Sequence, residues 1–171
     1  MNYSLQGLAD IFAALSPDAA TQLAQRIKHA ERIFLHGAGR SGLMLRALAM
    51  RLAQAGFRVH VVGDTTTPAI GEGDLLLLAS ASGKTPGVVR AAQTAKEVGS
   101  TVFAITASTD SPLSALCDGF VYFPAPNKDS VGAASLMGTL FEQALLLFGD
   151  ATVEALGIDP AQMRARHANL E

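Results

Sequence analysis

The sequence predicts an α/β protein, a three-layer αβα domain built on a five-stranded parallel sheet, with helices added at the N-terminus and a short C-terminal tail. Three observations lead there. Short apolar runs alternate with amphipathic helical stretches over residues 31–150, the pattern of a parallel sheet covered on both faces by crossover helices. The run Leu75-Leu76-Leu77-Leu78-Ala79 is apolar at every position, as a strand buried on both faces must be. Of 171 residues, 49% are hydrophobic and only 16% charged, enough for one domain to bury roughly two thirds of its unfolded surface without a disulfide or metal. The expected organisation is a single domain over 1–171: N-terminal helices to residue 30, the αβα core over 31–150 and a C-terminal extension over 151–171.

Each element has its own signal. Leu5, Leu8, Ile11, Phe12 and Leu15 form the stripe of an amphipathic helix that ends at Ser16-Pro17. Ser16 is then the expected N-cap and Pro17 the first residue of a second helix, with Ala20, Leu23, Ala24 and Ile27 on its apolar face. The first strand is Ile33 to His36, followed by Gly37-Ala38-Gly39-Arg40-Ser41-Gly42 and a helix from Leu43 to Ala55 that Gly56 stops. A second strand, Phe57 to Val62, leads through a polar connection from Asp64 to Asp74 into the third strand. Pro86 to Val98 reads as a helix, Thr101 to Thr106 as the fourth strand, Ser111 to Leu116 as a short helix and Phe120 to Phe123 as the fifth strand. Pro124 to Asp129 is the expected rigid exit loop, and the last long helix is expected to start near Ser135.

Chemistry concentrates in two strand-to-helix loops. Ser80-Ala81-Ser82-Gly83-Lys84-Thr85 stands where a helix N-terminus offers unpaired N–H groups and the positive end of its dipole, so its hydroxyls and glycine make a seat for a phosphate. It is not a Walker A loop, because Leu78 stands where that motif needs glycine. A plain helix cap without a ligand is the alternative reading. The other loop, residues 37–42, is a nominal Gly-x-Gly-x-x-Gly, with Asp64 about where the ribose-binding acid of a dinucleotide fold would stand. Arg40 and Ser41 at its variable positions instead put a cation and a hydroxyl on a ligand. Right-handed crossovers bring both loops to one crevice where the strand order switches, which fits one phosphate gripped from two sides better than an extended dinucleotide. Thr65-Thr66-Thr67 also lies near a strand end, although a solvated loop is the ordinary reading there.

Glu142 has Gly138, Thr139, Leu145 and Leu146 as its helix neighbours, so it continues no polar stripe and is expected to be partly buried. Desolvation makes a carboxylate a better proton acceptor, as a proton-transfer base requires; a pair with an arginine of the core or of a neighbouring subunit is the alternative. A net charge of −2 with scattered Lys and Arg leaves no footprint for nucleic acid. The single cysteine, Cys117, excludes an intramolecular disulfide and a multi-cysteine metal site, and fits a reducing compartment. With neither a basic leader nor an apolar run of membrane-spanning length, the expectation is a cytoplasmic protein without membrane contact. The apolar excess points to an oligomer interface.

Gly37 to Gly42, Gly63-Asp64-Thr65-Thr66-Thr67-Pro68, Ser80 to Thr85, Met137 to Gln143 and the terminal Arg166 to Glu171 together resemble the sugar isomerase (SIS) domain family, of flavodoxin-like fold. Within that family the chain is similar to the 6-phospho-3-hexuloisomerases of the ribulose monophosphate pathway of formaldehyde fixation. The Ser-x-Ser-Gly-x-Thr loop is common to most phosphosugar isomerase domains, whereas the Thr-Thr-Thr-Pro loop and the terminal segment carry the narrower match. There are two departures from the pattern: Ala81 is often glycine, and Ser135-Leu136 replaces the usual Gln-Pro. The resemblance implies a homotetramer that uses neither cofactor nor metal and reversibly isomerises a 3-hexulose 6-phosphate to fructose 6-phosphate through an enediol. On that footing Glu142 is the catalytic base, and Ser80, Ala81, Ser82, Gly83, Lys84 and Thr85 hold the phosphate. Gly39, Arg40 and Ser41 hold the sugar or stabilise the enediolate. His167, in a tail that composition alone would leave frayed, docks beside a neighbouring subunit's crevice and assists ring opening or proton transfer. A non-catalytic sugar-phosphate sensor and an aldose-ketose phosphate isomerase of the same fold are the alternative activities.

Overall fold

In the computed structural model, residues 2–126 and 137–170 are described. Helices α1 (Asn2–Ala14) and α2 (Ala19–His29) lead into β1 (Ile33–Gly37), α3 (Gly39–Gln54) and β2 (Val59–Val61). The chain continues through β3 (Leu75–Ser80), α4 (Pro86–Glu97), β4 (Thr101–Thr106), α5 (Pro112–Leu116) and β5 (Gly119–Tyr122), and ends with α6 (Thr139–Leu156) and α7 (Pro160–Ala165). The sheet order is β2-β1-β3-β4-β5, and every pairing is parallel. The chain thus steps outward from β1 to β2, then crosses back to start β3 on the other side of β1. That reversal lies between β1 and β3, where Gly37 is level with Ala79.

Alternate residues of the strands feed two apolar layers. Ile33, Leu35, Leu75, Leu77 and Ile105 pack with α1, α2, α3 and α6, while Phe34, Leu76, Leu78, Val102 and Ala104 pack with α4 and α5. Leu35, Leu77 and Leu78 are fully buried, and each such side chain contributes about 1.5–3 kcal/mol of transfer free energy. Phe123, just past β5, closes one layer by meeting Phe148 edge-on at 5.5 Å and Phe141 at 5.7 Å between ring centroids. Among the described residues, no helix is long and apolar enough to cross a membrane.

Several boundaries differ from the sequence expectation, each for a local reason. The helix after β1 begins at Gly39 rather than Leu43. A Cβ on Gly42 would lie 2.3 Å from the Gly37 carbonyl oxygen, so this first turn winds tightly against β1 only because residue 42 has no side chain. The second helix begins at Ala19, not Pro17, because the Ser16 hydroxyl donates to the Asp18 carboxylate instead of capping helix amides. Strand β2 shrinks to Val59–Val61, since Phe57 N–H is spent on Leu52 O at 3.0 Å and belongs to the end of α3. Strand β5 starts at Gly119 and releases Phe123 to the aromatic contacts above. Ser135, expected near the start of the last helix, lies outside the described residues, as do residues 127–129 of the exit loop. The tail is not simply frayed: Asp159 caps α7 by accepting Ala161 N–H at 2.8 Å, and Arg166 Nη1 donates to Gln54 O at 3.3 Å.

Candidate active site

At the carboxyl edge, the reversal between β1 and β3 opens a cleft of about 160 Å³. Ala38, Ser41, Ala79, Ser80, Ala81, Ser82, Thr85, Met137, Gly138, Phe141 and Glu142 line it. Three helices present their first turns to this cleft. Ser41 belongs to the start of α3, Thr85 is the residue before α4, and Glu142 lies in the first turn of α6.

The hydroxyl-rich loop begins as β3 ends. Ser80 is 4% exposed, its carbonyl accepts Gly83 N–H at 3.1 Å, and its hydroxyl meets Thr85 Oγ1 at 2.9 Å. Ser82 Oγ accepts Lys84 N–H at 3.2 Å. Gly83, with φ +62, makes the sharp turn that a residue with a side chain adopts only under strain. Among the described residues, the N–H groups of Ser82 and Thr85 have no protein acceptor. With the hydroxyls of Ser80, Ser82 and Thr85, they form a set of donors suited to a phosphate.

Opposite the loop, Glu142 is 9% exposed, placed by the chain turning through Met137 (φ +56) and Gly138 (φ +84). Arg40 Nε donates to Glu142 Oε2. Glu142 Oε1 has no protein donor among the described residues and is left to the cleft. The pair joins a carboxylate whose side chain is 11% exposed to a guanidinium 60% exposed, so the arginine reaches down from solvent onto the acid. Its geometry combines the two sequence readings: Glu142 is buried, it has an arginine partner, and it faces the cleft. On the other side of the sheet, His36 at the end of β1 is half-buried, and burial holds its imidazole below the ordinary histidine pKa.

The structure brings together Ser41, Ser80, Ala81, Ser82, Thr85 and Glu142, with Arg40 joined through its ion pair. Gly39 (φ +57) and Gly83 shape the two loops without lining the cleft, and Lys84 is exposed and outside the lining. Asp64, weighed as a ribose-binding acid, is held by Arg46 Nη2 at 2.6 Å. Thr67 turns its hydroxyl inward to Val61 O at 2.6 Å, so the threonine loop closes on itself. His167 lines a separate groove with Arg51, Gln54, Pro160, Met163 and Arg164, and its Nδ1 meets Ala168 O at 3.0 Å. Within one chain that groove is at the far end of α3, about 20 Å from Ser41 at 1.5 Å per residue. Ala38, Ala79, Met137, Gly138 and Phe141 also line the cleft without being candidate site residues in the sequence, although Ala38, Ala79 and Phe141 each adjoin one. Among the described residues, no three His, Cys, Asp or Glu side chains converge where a metal could sit.

Residues 26–147, which carry both loops and Glu142, match the sequence model of the SIS domain. The chain belongs to the SIS domain family. The 3-hexulose-6-phosphate isomerase of Mycobacterium gastri is 46% identical to this SIS domain, the alignment covering 96% of this chain and 86% of that protein. The 3-hexulose-6-phosphate isomerase of Bacillus subtilis is 41% identical, with 98% and 95% covered. A Methanococcus jannaschii crystal structure, from which a function of 3-hexulose-6-phosphate isomerase was inferred, superposes on the SIS domain with a TM-score of 0.82 at 32% identity, covering 99% of this chain and 96% of that one.

Proposed function

We infer that this SIS domain is an isomerase that interconverts a 3-hexulose 6-phosphate, arabino-hex-3-ulose 6-phosphate, and fructose 6-phosphate. The observation that carries the reading is the Oε1 of a buried Glu142, without a protein donor among the described residues, facing a loop rich in phosphate donors across one cleft. The likeness to isomerases of that name supports it.

The substrate bears its carbonyl at C3 and a hydroxyl at C2. Glu142 takes the C2 proton, the C–H electron pair becomes the C2–C3 double bond, and the C3 carbonyl becomes an enediolate oxygen. Glu142 then returns the proton to C3 while the O2 proton moves to O3, leaving the carbonyl at C2 and no net change of atoms or charge. Arg40, already beside Glu142, donates to the developing oxyanion, with Ser41 against the sugar and Gly39 shaping the turn that places them. The hydroxyls and amides of Ser80, Ser82 and Thr85 hold the phosphate, Ala81 and Gly83 shape their loop, and Lys84 at the rim adds charge. No cofactor takes part. The enzyme works in the cytoplasm as a homotetramer on the ribulose monophosphate pathway, and His167 reaches a neighbouring subunit's cleft to assist ring opening or proton transfer.

Carbon NMR of the protein with labelled fructose 6-phosphate tests the reaction. A new carbonyl at C3 is the expected result; a carbonyl at C1 would mean an aldose-ketose isomerase, and an unchanged spectrum a non-catalytic sensor. Subunit exchange tests His167. Mixed oligomers of inactive Glu142→Gln and inactive His167→Ala should regain activity, because some clefts then receive both intact residues. Full activity of His167→Ala alone, or verified mixed oligomers that stay inactive, would remove His167 from the mechanism.

A further inference from the structure

The hydroxyl-rich loop is braced from behind by residues that do not line the cleft. A Cβ built on Gly83 would stand 2.1 Å from Ser111 Oγ and 2.6 Å from Ser111 Cβ, so the loop backbone rests directly on that serine. Ser111 is 7% exposed and comes from the turn between β4 and α5. Its Oγ accepts Ser114 N–H at 3.2 Å and its own N–H donates to Ser114 Oγ at 3.0 Å, a reciprocal cap that starts α5. The capped helix then donates Leu113 N–H to Gly83 O at 3.1 Å, and Ala107 N–H donates to Ala81 O at 3.1 Å. Both loop carbonyls are thereby tied to the β4–α5 side.

That bracing matters to an anion because a peptide carbonyl repels it and a peptide N–H attracts it. In a trans peptide the two point in opposite directions. Holding Ala81 O backward therefore turns Ser82 N–H forward, and Ser82 N–H is one of the donors without a protein acceptor among the described residues. Holding Gly83 O does the same for Lys84 N–H, which in turn steadies Ser82 Oγ at 3.2 Å.

We propose that Ser111 is a positioning residue for the phosphate seat: its side chain, wedged beneath Gly83 and capping the helix that holds Gly83 O, sets the Gly83–Lys84 peptide plane that presents Lys84 N–H to Ser82 Oγ and so fixes the Ser82 hydroxyl at the cleft. This rests on the reading of residues 80–85 as the phosphate seat, and the experiment separates the two. The probes are fructose 6-phosphate as substrate and inorganic phosphate as competitor. Ser111→Ala should raise KM for the sugar phosphate and Ki for inorganic phosphate by the same factor, about tenfold, with kcat within about twofold, the pattern of lost uniform binding. A merely structural role would lower the unfolding midpoint and the active fraction without moving KM. Ser111→Gly covers the case in which the alanine variant folds poorly, because glycine is nearly as good a helix cap as serine. It should lose affinity to the same degree, since nothing then stands beneath Gly83. If Ser111→Gly binds phosphate as the parent does, the serine is only a cap and the proposal fails. If both variants keep parental constants while Ser82→Ala weakens phosphate, the seat stands and Ser111 does not set it. If Ser82→Ala also changes neither constant, the seat itself is misassigned and the positioning role falls with it.

Discussion

The two edges of the sheet treat polar groups in opposite ways. At the amino edge, Asp74 is 1% exposed and accepts from Arg32 Nε at 2.9 Å, Arg32 Nη2 at 2.6 Å and Gly71 N–H at 2.8 Å. Burial alone would push its carboxyl up, but the Arg32 and Gly71 hydrogen bonds outweigh it and hold the group below the ordinary carboxylate range. Asp118 beside β4 is satisfied in the same way, by Lys96 Nζ at 2.5 Å and Val102 N–H at 2.8 Å. At the carboxyl edge, Glu142 keeps an oxygen for the cleft, and two amides of the hydroxyl loop have no protein acceptor among the described residues. Satisfied groups hold a fold together; unsatisfied ones around a cavity wait for a ligand.

Substitutions at the two edges should therefore separate activity from stability. On the proposed mechanism Glu142→Gln keeps the shape and loses the base, so kcat should fall by about a hundredfold or more while the unfolding midpoint barely moves; turnover within a few fold of the parent would make Glu142 structural. Ser82→Ala and Thr85→Ala should each weaken phosphate and sugar-phosphate binding by roughly tenfold to a hundredfold in competition assays, as expected for a hydroxyl donating to a charged oxygen. Asp74→Ala should do the reverse: thermal unfolding should drop by roughly 5 °C, with KM and kcat unchanged well below the transition. A comparable loss of activity at low temperature would break the contrast.

The smallest effect lies in the pH dependence of stability. Burial depresses the folded-state pKa of His36, so below the ordinary value of about 6.5 the unfolded chain takes up the proton and the folded chain resists it. Stability from this source is intact above that value and is lost as pH falls from it toward the depressed one. His60 adds in the same direction, its desolvation reinforced by Arg32 and Arg58. The aspartates of the amino edge act lower, losing their contribution as pH falls below the ordinary value of 3.8. Unfolding midpoints between pH 7.5 and 5.5 should fall less for His36→Gln than for the parent; equal slopes would remove His36 as a cause.

How much of this was legible in the sequence depends on distance along the chain. Leu75 to Leu78 announce a central strand because all four are apolar, and the Ser-rich loop announces itself because its hydroxyls and its helix are contiguous. The start of α3 at Gly39 has no signal in the sequence, because Gly39 to Gly42 has poor helix propensity and winds only through the contact of Gly42 with Gly37. Helix α7 did leave a signal, Asp159-Pro160, a cap followed by proline at the first helical position. The Arg40–Glu142 pair spans 102 residues, and Ser111 reaches Gly83 only through the fold, so neither contact has a local signature.

The convergence of α3, α4 and α6 on the cleft has a kinetic consequence. Each first turn carries about half a positive charge from its backbone, so the mouth of the site attracts anions although the chain as a whole is at −2. With the Glu142 carboxylate paired to Arg40, the remaining field comes from peptide groups that do not titrate. Capture of a phosphorylated sugar should hold steady across the pH range in which the phosphate keeps its charge, and should slow as salt shortens the reach of the field to about 10 Å or less.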